Sequence, residues 1–413
     1  MDEAFFSELS AWLAQAGLSG TAESDILATV CERCVAAGLP LGRVIVFIDT
    51  LHPVHEGRLF RWGYGPGESP VLDYGRTHLD ETLISAADPL DARAVENWRR
   101  SPFYRMLQSG DSLMRLRIDA TTMDEFSLFA DLLAAGMTEY VAIINRFAAN
   151  GVIGDMDGVY TSWTTAAPAG FADGHIAALE RIAPHLALAV KSVSLVRMTD
   201  TLMRTYLGRD AGRRVLGGRI MRGVAEQMDA VVWFSDLRGF TRITDAVPEA
   251  VIPLLNDYAD AVISAIVAEG GDVLKLIGDG ILAIFPKEAP GHACAAALAA
   301  ADAARRSVAA LNERRAAAGL PTTEFYLGLH AGAMFYGNIG STTRLDFTIV
   351  GPAVNMASRI AAMCRSAEQP LLLSAAFVEA AGPEARPGFV SVGRYALRGV
   401  GRPQELFTLD STR

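Results

Sequence analysis

The sequence of 413 residues has few cysteines, no net positive charge and no long apolar run. Its four cysteines fit a reducing compartment. The formal net charge of −10 argues against binding to nucleic acid, which needs a basic surface. No apolar run approaches the roughly 18–20 residues that cross a bilayer, so no membrane span is expected. The acidic N-terminus lacks the basic start of a signal peptide, and a cytoplasmic location is therefore expected.

Two of the cysteines, Cys31 and Cys34, form a CxxC pattern within an apparent helix. The chain has no second pair at the spacing of a zinc site. We interpret both as buried or half-buried free thiols, with a redox or metal-binding role as the alternative.

The remaining composition is that of an ordinary globular protein, with half of the residues hydrophobic and a fifth charged. The length suggests two or three domains. Residues 1–170 are predicted to form an α+β domain, because two amphipathic helical patterns precede several strand-like runs. The predicted helices and strands are an opening helix around Leu9, a second helix at 22–37, and strands at 43–49, 58–64, 140–147 and 159–165.

Residues 171–224 are predicted to form a helical linker. Apolar residues recur at three- and four-residue steps up to about residue 207, which indicates either a core-facing helix or a dimer seam. Pro184 predicts a kink or a break in this helix. The stretch 206–216 is short, basic and interrupted by glycines, and we interpret it as a connector.

Residues 225–413 are predicted to form a second α+β domain in which strands and helices alternate. Their order is β-α-β-β-α-β, the ferredoxin-like split unit. The segments are a strand at 230–235, a helix at 249–269, a hairpin at 272–285, a helix at 292–318 and a strand at 324–331.

Two aspartates of this domain are candidates for a metal site. Asp236 ends the first apolar strand, and Asp279 lies in the Gly-Asp-Gly turn of the hairpin. Each has an ordinary alternative, as a turn-capping residue or as part of a common hairpin turn. In the split unit the two carboxylates project to one sheet edge, where they can hold two hard divalent ions for an in-line phosphoryl displacement.

Further polar groups follow these aspartates. Gly239, Phe240 and Thr241 follow Asp236 after two further residues, and their backbone N–H groups are suited to a phosphate. Asn355 and Arg359 are four residues apart in a helix predicted to start at Gly351-Pro352, so they share one face. An amide and a guanidinium suit a ribose and a phosphoryl group, although an exposed polar helix face is the common alternative.

Four segments together resemble the class III nucleotidyl cyclase catalytic domain. They are FSDLRGFT at 234–241, KLIGDG at 275–280, DFTIVGPAVNMASR at 346–359 and LRGV at 397–400. The resemblance covers about residues 225–410, with the motifs in the family's order and spacing.

The resemblance implies a homodimer whose catalytic domains pair head to tail, with each active site shared between the two subunits. Asp236 and Asp279 of one subunit would hold two Mg²⁺ or Mn²⁺ ions. Arg359 of the other would stabilise charge on the α-phosphoryl group of ATP, and Asn355 would orient the ribose. Arg398 stands where the family usually has a lysine that contacts the triphosphate. The products would be 3′,5′-cyclic AMP and pyrophosphate.

By the same resemblance, Lys275 and Thr348 choose the base. Thr348 lies three residues before Gly351, at the position often occupied by an aspartate, whereas Asp346 lies two residues too early. A Lys/Thr pair resembles an adenylate-forming subset of the family, some members of which respond to bicarbonate. A lysine cannot accept hydrogen bonds from guanine N–H groups. ATP is therefore expected rather than GTP, with a guanylate cyclase and a catalytically inactive nucleotide-binding or dimerisation module as alternatives.

The element order of residues 1–170 resembles a GAF- or PAS-type regulatory domain at the level of fold order alone. A small-molecule effector is a possible partner of such a domain. Phe60, Trp62, Tyr64 and Trp163 are candidates to line its pocket, with core packing as the alternative. The linker would carry the signal to the catalytic domain.

Overall fold

The computed structural model describes residues 1–75, 95–286 and 291–410. It divides into two compact units, Met1–Leu202 and Met203–Arg413. Residues 171–224, predicted to be a separate linker, are shared between them: those up to Leu202 group with the first unit, and those from Met203 with the second.

The described residues of the N-terminal unit form a six-stranded antiparallel sheet in the order β3-β2-β1-β6-β5-β4. The four predicted strands are its inner strands, and the sequence missed both edge strands. The strands are β1 Val44–Asp49, β2 Gly57–Trp62, β3 Val71–Tyr74, β4 Leu113–Arg117, β5 Glu139–Arg146 and β6 Gly158–Thr165. The helices are α1 Glu3–Ser19, α2 Glu23–Ala36, α3 Pro102–Ser109, α4 Phe129–Ala134 and α5 Asp173–Leu207, the last of which continues past the unit boundary.

Alternating side chains of β1 enter two different cores, one on each face of the sheet. Val44, Val46 and Ile48 pack with α1, α2 and α5. Phe47 faces the other way, stacks on Tyr160 and packs with α3 and α4. The sheet is therefore covered on both sides, with a hydrophobic layer on each.

The four aromatic residues considered for a ligand pocket all contact other parts of the protein itself. Phe60 and Trp163 are fully buried in the core beneath α5. Trp62 packs against the edge of that core, and Tyr64 lies beneath the guanidinium of Arg43. Core packing, the alternative reading, is confirmed for Phe60 and Trp163.

Helix α5 is 35 residues long and runs without interruption through Pro184. Of the kink or break predicted at this proline, the break is wrong, and the kink stays a prediction. The residues around Pro184, including Ile182, Ala183 and Leu186, are buried in the core, and this packing holds the helix together where one backbone hydrogen bond is missing. The buried stripe from Ile176 to Val193 shows that this part of the helix faces the core.

Cys31 and Cys34 are buried free thiols, as predicted. Burial raises the pKa of Cys31 well above its usual range and that of Cys34 to about 12. Neither thiol is a reactive thiolate at neutral pH, because the thiolate is the nucleophilic form.

The C-terminal unit contains the predicted βαββαβ fold. Its central strands lie in the order β10-β7-β9-β8, and all neighbours are antiparallel, which is the ferredoxin-like arrangement. Beyond β10 the sheet continues through β12, β14 and β13, and β11 pairs with the far end of β10. The strands are β7 Ala225–Leu237, β8 Asp272–Ile277, β9 Gly280–Pro286, β10 Phe325–Gly340, β11 Leu345–Val350, β12 Leu371–Ser374, β13 Phe389–Tyr395 and β14 Gln404–Leu409.

Helices cover both faces of this sheet. The side of Val231 and Trp233 packs against α8 and α9, and the side of Ala230 and Val232 packs against α10. The predicted connector at 206–216 contains a helix, α6, whose Ala211 is fully buried beside the sheet. The helices are α6 Arg209–Leu216, α7 Phe240–Ala246, α8 Val251–Ala268, α9 His292–Ala317, α10 Pro352–Met363 and α11 Ala375–Ala381.

Among the described residues, one helical stretch, Pro248–Ala268, is long and apolar enough to cross a membrane by length and composition. The sequence reading overlooked this stretch. Its buried side chains, including Leu254, Tyr258 and Val262, are fully covered by the C-terminal unit. We therefore interpret it as a core helix of this unit.

Candidate active site

Asp236 and Asp279 meet at one edge of the C-terminal sheet. Ser235 of β7 pairs with Ile281 of β9, so the residue after Ser235 faces the turn that carries Asp279. A Cβ atom on Gly280 would lie 3.0 Å from the carbonyl oxygen of Ser235 and 3.6 Å from Oδ1 of Asp236. The turn therefore lies within contact distance of the first carboxylate, and a side chain at Gly280 would be tight against the Ser235 carbonyl oxygen.

The environment of Asp236 opposes its negative charge. Burial, and then the neighbouring charge of Asp279, raise the pKa of Asp236 to about 6. The backbone N–H of Leu237 acts in the opposite direction. A pair of carboxyl groups held this close is stabilised by a cation between or beside them.

The donor set fits a hard divalent ion. Within the described residues, no group of three or more His, Cys, Asp or Glu side chains is arranged around a metal position. Asp236 and Asp279 would therefore supply two carboxylates, and water or substrate oxygens the remaining ligands. Mg²⁺ is commonly bound in this way, through one or two carboxylates together with substrate phosphates.

The backbone after Asp236 turns through Gly239, which has a left-handed φ of 73° and precedes α7. The side chain of Phe240 packs against the core beneath the sheet. Thr241 is exposed, and its carbonyl oxygen accepts a hydrogen bond from Thr244 Oγ1. The groups of this turn that can bind a phosphate are therefore its backbone N–H groups and not the ring of Phe240.

Helix α10, which carries Asn355 and Arg359, lies directly on strand β10. A Cβ atom on Gly328 would lie 2.5 Å from both the carbonyl oxygen of Ala357 and the backbone nitrogen of Ala361, so only glycine permits this approach. The helix begins after Gly351, as predicted, with Pro352 in its first turn. Its polar face presents an exposed Asn355 and a half-buried Arg359.

Arg359 lies beside the loop that carries Arg398. A Cβ atom on Gly399 would lie 3.4 Å from Nη2 of Arg359, and Arg398 itself is exposed. Two guanidinium groups from distant parts of the chain therefore belong to one surface region. This region is suited to an oxyanion such as a phosphate group.

Lys275 contacts an acid that the sequence reading set aside. Its Nζ atom donates to Oδ2 of Asp346, and the two side chains are 31% and 55% exposed. Thr348, the predicted partner position, is buried two residues further along β11. The alternation of a strand puts Asp346 and Thr348 on the same side of β11, and this spacing is the sequence signal that was available.

A family model described as the adenylate and guanylate cyclase catalytic domain matches residues 224–409, which include every residue of this site. Residues 224–409 belong to this family. The cyclase domain thus accounts for the resemblance seen in the four motifs. The GAF- or PAS-type interpretation of the N-terminal unit stays a prediction.

Known proteins similar to this chain include both kinds of cyclase. An adenylate cyclase of Anabaena cylindrica is 34% identical over 139 residues, which are 33% of this chain and 28% of that protein. The adenylyl cyclase CyaB of P. aeruginosa is 28% identical in its crystal structure, with a TM-score of 0.42 and coverage of 46% of this chain and 97% of that one. The guanylyl cyclase Cya2 is 26% identical, with a TM-score of 0.40 and coverage of 45% and 93%. The matches span between 24% and 38% of the length of the first curated relatives.

Proposed function

We propose that this protein is an adenylate cyclase, which converts ATP to 3′,5′-cyclic AMP and pyrophosphate at sites shared within a homodimer. The observation that carries the proposal is the pairing of Asp236 and Asp279 at the sheet edge of a cyclase domain. The domain also retains Asn355 and Arg359 on one helix. An inactive module is disfavoured, because such modules lose a metal-binding aspartate or the arginine.

Asp236 and Asp279 would hold two Mg²⁺ or Mn²⁺ ions. When bound, these ions neutralise charge on the phosphate oxygens and make the ribose 3′-hydroxyl more acidic. Arg359 presents a planar set of N–H donors to the α-phosphoryl group, where negative charge develops as the 3′-oxygen attacks. Asn355 would fix the ribose, and Arg398 would bind the outer phosphates.

The backbone of Gly239, Phe240 and Thr241 would contribute neutral N–H donors to the triphosphate. Gly239 adopts a left-handed conformation at the start of α7, three residues after Asp236. The turn would thus bind phosphate next to the carboxylate pair.

ATP is the proposed substrate because of Lys275 and Thr348. An ammonium group donates hydrogen bonds and accepts none, which suits the unprotonated N1 of adenine. The N1 of guanine carries a proton, and an ammonium facing it would have no acceptor. A guanylate cyclase is the alternative within the same reaction class.

A second copy of the chain would complete each site. The cyclase domain exposes large apolar side chains along β10 and β11, at 50% for Phe335, 40% for Leu345 and 42% for Val350. Apolar surface of this kind is typical of a protein interface. It supports a homodimer in which Arg359 of one subunit serves the aspartates of the other. We further propose that the protein is cytoplasmic and that its N-terminal unit regulates the cyclase domain.

The direct test is product formation by the purified full chain with ATP or GTP and Mn²⁺, separated by chromatography. Cyclic AMP as the main product is the expected result, and the variant Asp279→Ala is the negative control. If cyclic GMP formed from GTP is the main product instead, the substrate is GTP and the protein is a guanylate cyclase. Nucleotide binding without any cyclic product would identify an inactive module.

A further inference from the structure

The ion pair between Lys275 and Asp346 joins two elements that are far apart in the sequence. Lys275 lies in β8 at the edge of the sheet, and Asp346 lies in β11, which pairs with the far end of β10. Lys275 Nζ donates to Asp346 Oδ2. Within the described residues, Asp346 is the one acid that forms a salt bridge with Lys275.

The side chains of β11 alternate between its two sides. Asp346 and Thr348 lie on one side, and Phe347 and Ile349 lie on the other. Phe347 and Ile349 are 6% and 3% exposed and belong to the core under α10. This packing fixes the register of β11, because a shift by one residue would expose both apolar side chains. Asp346 is thereby held beside the ammonium of Lys275, two residues before Thr348 on the same side of β11.

The partial exposure of this ion pair argues against a role in stability. A pair in contact with water contributes little to folding, because solvent screens the charges and two side chains must be ordered. The same contact has a clear effect on Lys275, whose long side chain otherwise samples many rotamers. One of the three ammonium N–H groups is used by Asp346, and the other two remain for a ligand.

We propose that Asp346 is a positioning and specificity-determining residue that holds the Lys275 ammonium against N1 of adenine. The inference rests on the proposed cyclase function and assigns a role to a residue outside the Lys275/Thr348 pair. Fixing the lysine in advance lowers the entropy that is lost when the base binds. Asp346 thus acts on the choice and binding of the base rather than on the reacting phosphorus.

The experiment measures affinity separately from turnover. The full chain and its Asp346→Asn variant are titrated with 3′-deoxy-ATP and 3′-deoxy-GTP in the presence of Mn²⁺, since neither analogue has the attacking hydroxyl. We expect Asp346→Asn to weaken 3′-deoxy-ATP binding about tenfold and to reduce the preference over 3′-deoxy-GTP, as expected for loss of one charge-assisted contact. With ATP, the KM should rise to a similar extent, and kcat should stay within about twofold.

Two controls separate positioning from a structural effect. Asp302→Asn removes another exposed aspartate of an ion pair, with Arg306 on α9, and should leave affinity and preference unchanged. The Lys275→Ala/Asp346→Asn double variant should bind no more weakly than Lys275→Ala, because Asp346 acts through the lysine. Asp346→Glu should recover part of the lost preference.

An unchanged preference in Asp346→Asn, or additive losses in the double variant, would overturn the inference and leave the cyclase function standing. A chain that binds the adenine analogue but forms no cyclic product contradicts the proposed function alone. A chain that binds neither analogue contradicts both.

Discussion

The carboxyl group of Asp279 lies beside that of Asp236 at the edge of the C-terminal sheet, and its negative charge helps to raise the pKa of Asp236. Their closeness follows from the antiparallel pairing of β7 with β9, which brings the turn at Gly280 next to the end of β7. Two ionised carboxylates in this arrangement repel each other in the metal-free protein, and a bound cation would offset this repulsion. The two acids therefore destabilise the metal-free protein, and the proposed metal site would account for their placement.

Replacement of Asp279 by asparagine should abolish turnover without unfolding the protein. Loss of one metal-binding carboxylate removes charge stabilisation worth several kcal/mol, so product formation should fall at least about a hundredfold. Thermal unfolding measured without metal should occur at the same or a higher temperature, because repulsion of Asp236 is removed. Asp302→Asn is the matched control. Near-normal activity of Asp279→Asn would rule out the metal role.

Mixing two inactive variants tests whether the site is shared. Chains with Asp236→Ala and chains with Arg359→Ala should each be inactive, and a mixed dimer should regain one complete site. An equal mixture should recover up to about a quarter of the wild-type activity, since half of the dimers are mixed and each has one of two sites intact. Activity is measured after co-refolding or subunit exchange. Absence of rescue at every mixing ratio argues for a site within a single subunit.

The substrate preference of the unmodified chain tests Lys275 and Thr348 directly. The kcat/KM for ATP should exceed that for GTP by about tenfold or more, because the wrong base leaves polar groups unpaired. Lys275→Glu should reverse the order by placing an acceptor where guanine has donors. Competition assays with both nucleotides in one reaction give the ratio. A preference of the unmodified chain for GTP would reject adenine selection.

Asp49 should give the N-terminal unit a pH-dependent stability. Burial raises its pKa to about 7, nearby carboxylates including Glu56 add to this, and the hydrogen bond from Tyr74 opposes it. Because the folded pKa lies above the unfolded value, the group stabilises the folded state at low pH. This contribution is lost as the pH rises from about 4 to about 7, so the free energy of unfolding should fall by on the order of a few kcal/mol.

The measurement for Asp49 compares unfolding of the full chain and Asp49→Asn across this pH range. Asparagine keeps an acceptor for Tyr74 and does not titrate. The stability of the wild type relative to the variant should fall between pH 4 and 7 and stay constant above pH 7. A difference that is the same at every pH would show that Asp49 ionises normally.

Gly328→Ala should displace the helix that carries two of the candidate site residues. The added Cβ would meet the backbone of α10 at 2.5 Å, so the helix that carries Asn355 and Arg359 must shift. We expect a loss of stability of about 1–3 kcal/mol and reduced turnover. Gly388→Ala is the matched control, since a Cβ there meets nothing within 4 Å. Equal stability and activity of the two variants would refute the tight contact.

The strands and helices that the sequence predicted are those with a clear period. The βαββαβ order of the cyclase domain and the placement of Asp236 and Asp279 followed from apolar strands that end in acidic turns. The edge strands β3 and β4 were missed because few of their side chains are buried, which leaves a weak apolar pattern.

Other features depend on contacts between distant segments. The continuity of α5 through Pro184 depends on packing on both sides of the proline, which overrides its local preference. The partner of Lys275 was assigned to Thr348 from motif spacing alone. Its contact with Asp346 requires the fold to bring β8 and β11 together, and the local strand pattern shows only that Asp346 and Thr348 share one side of β11.

Strand β10 links these features over its sixteen residues. Tyr326 pairs with Asp236 near one end, Gly328 lies under α10, and Ile339 pairs with Asp346 near the other end. Because side chains alternate from face to face, a single-residue insertion or deletion between these positions would turn one group of active-site residues away from the others. Length variation among descendants of this protein should therefore accumulate in the loops before and after β10, while the strand itself keeps its count of residues.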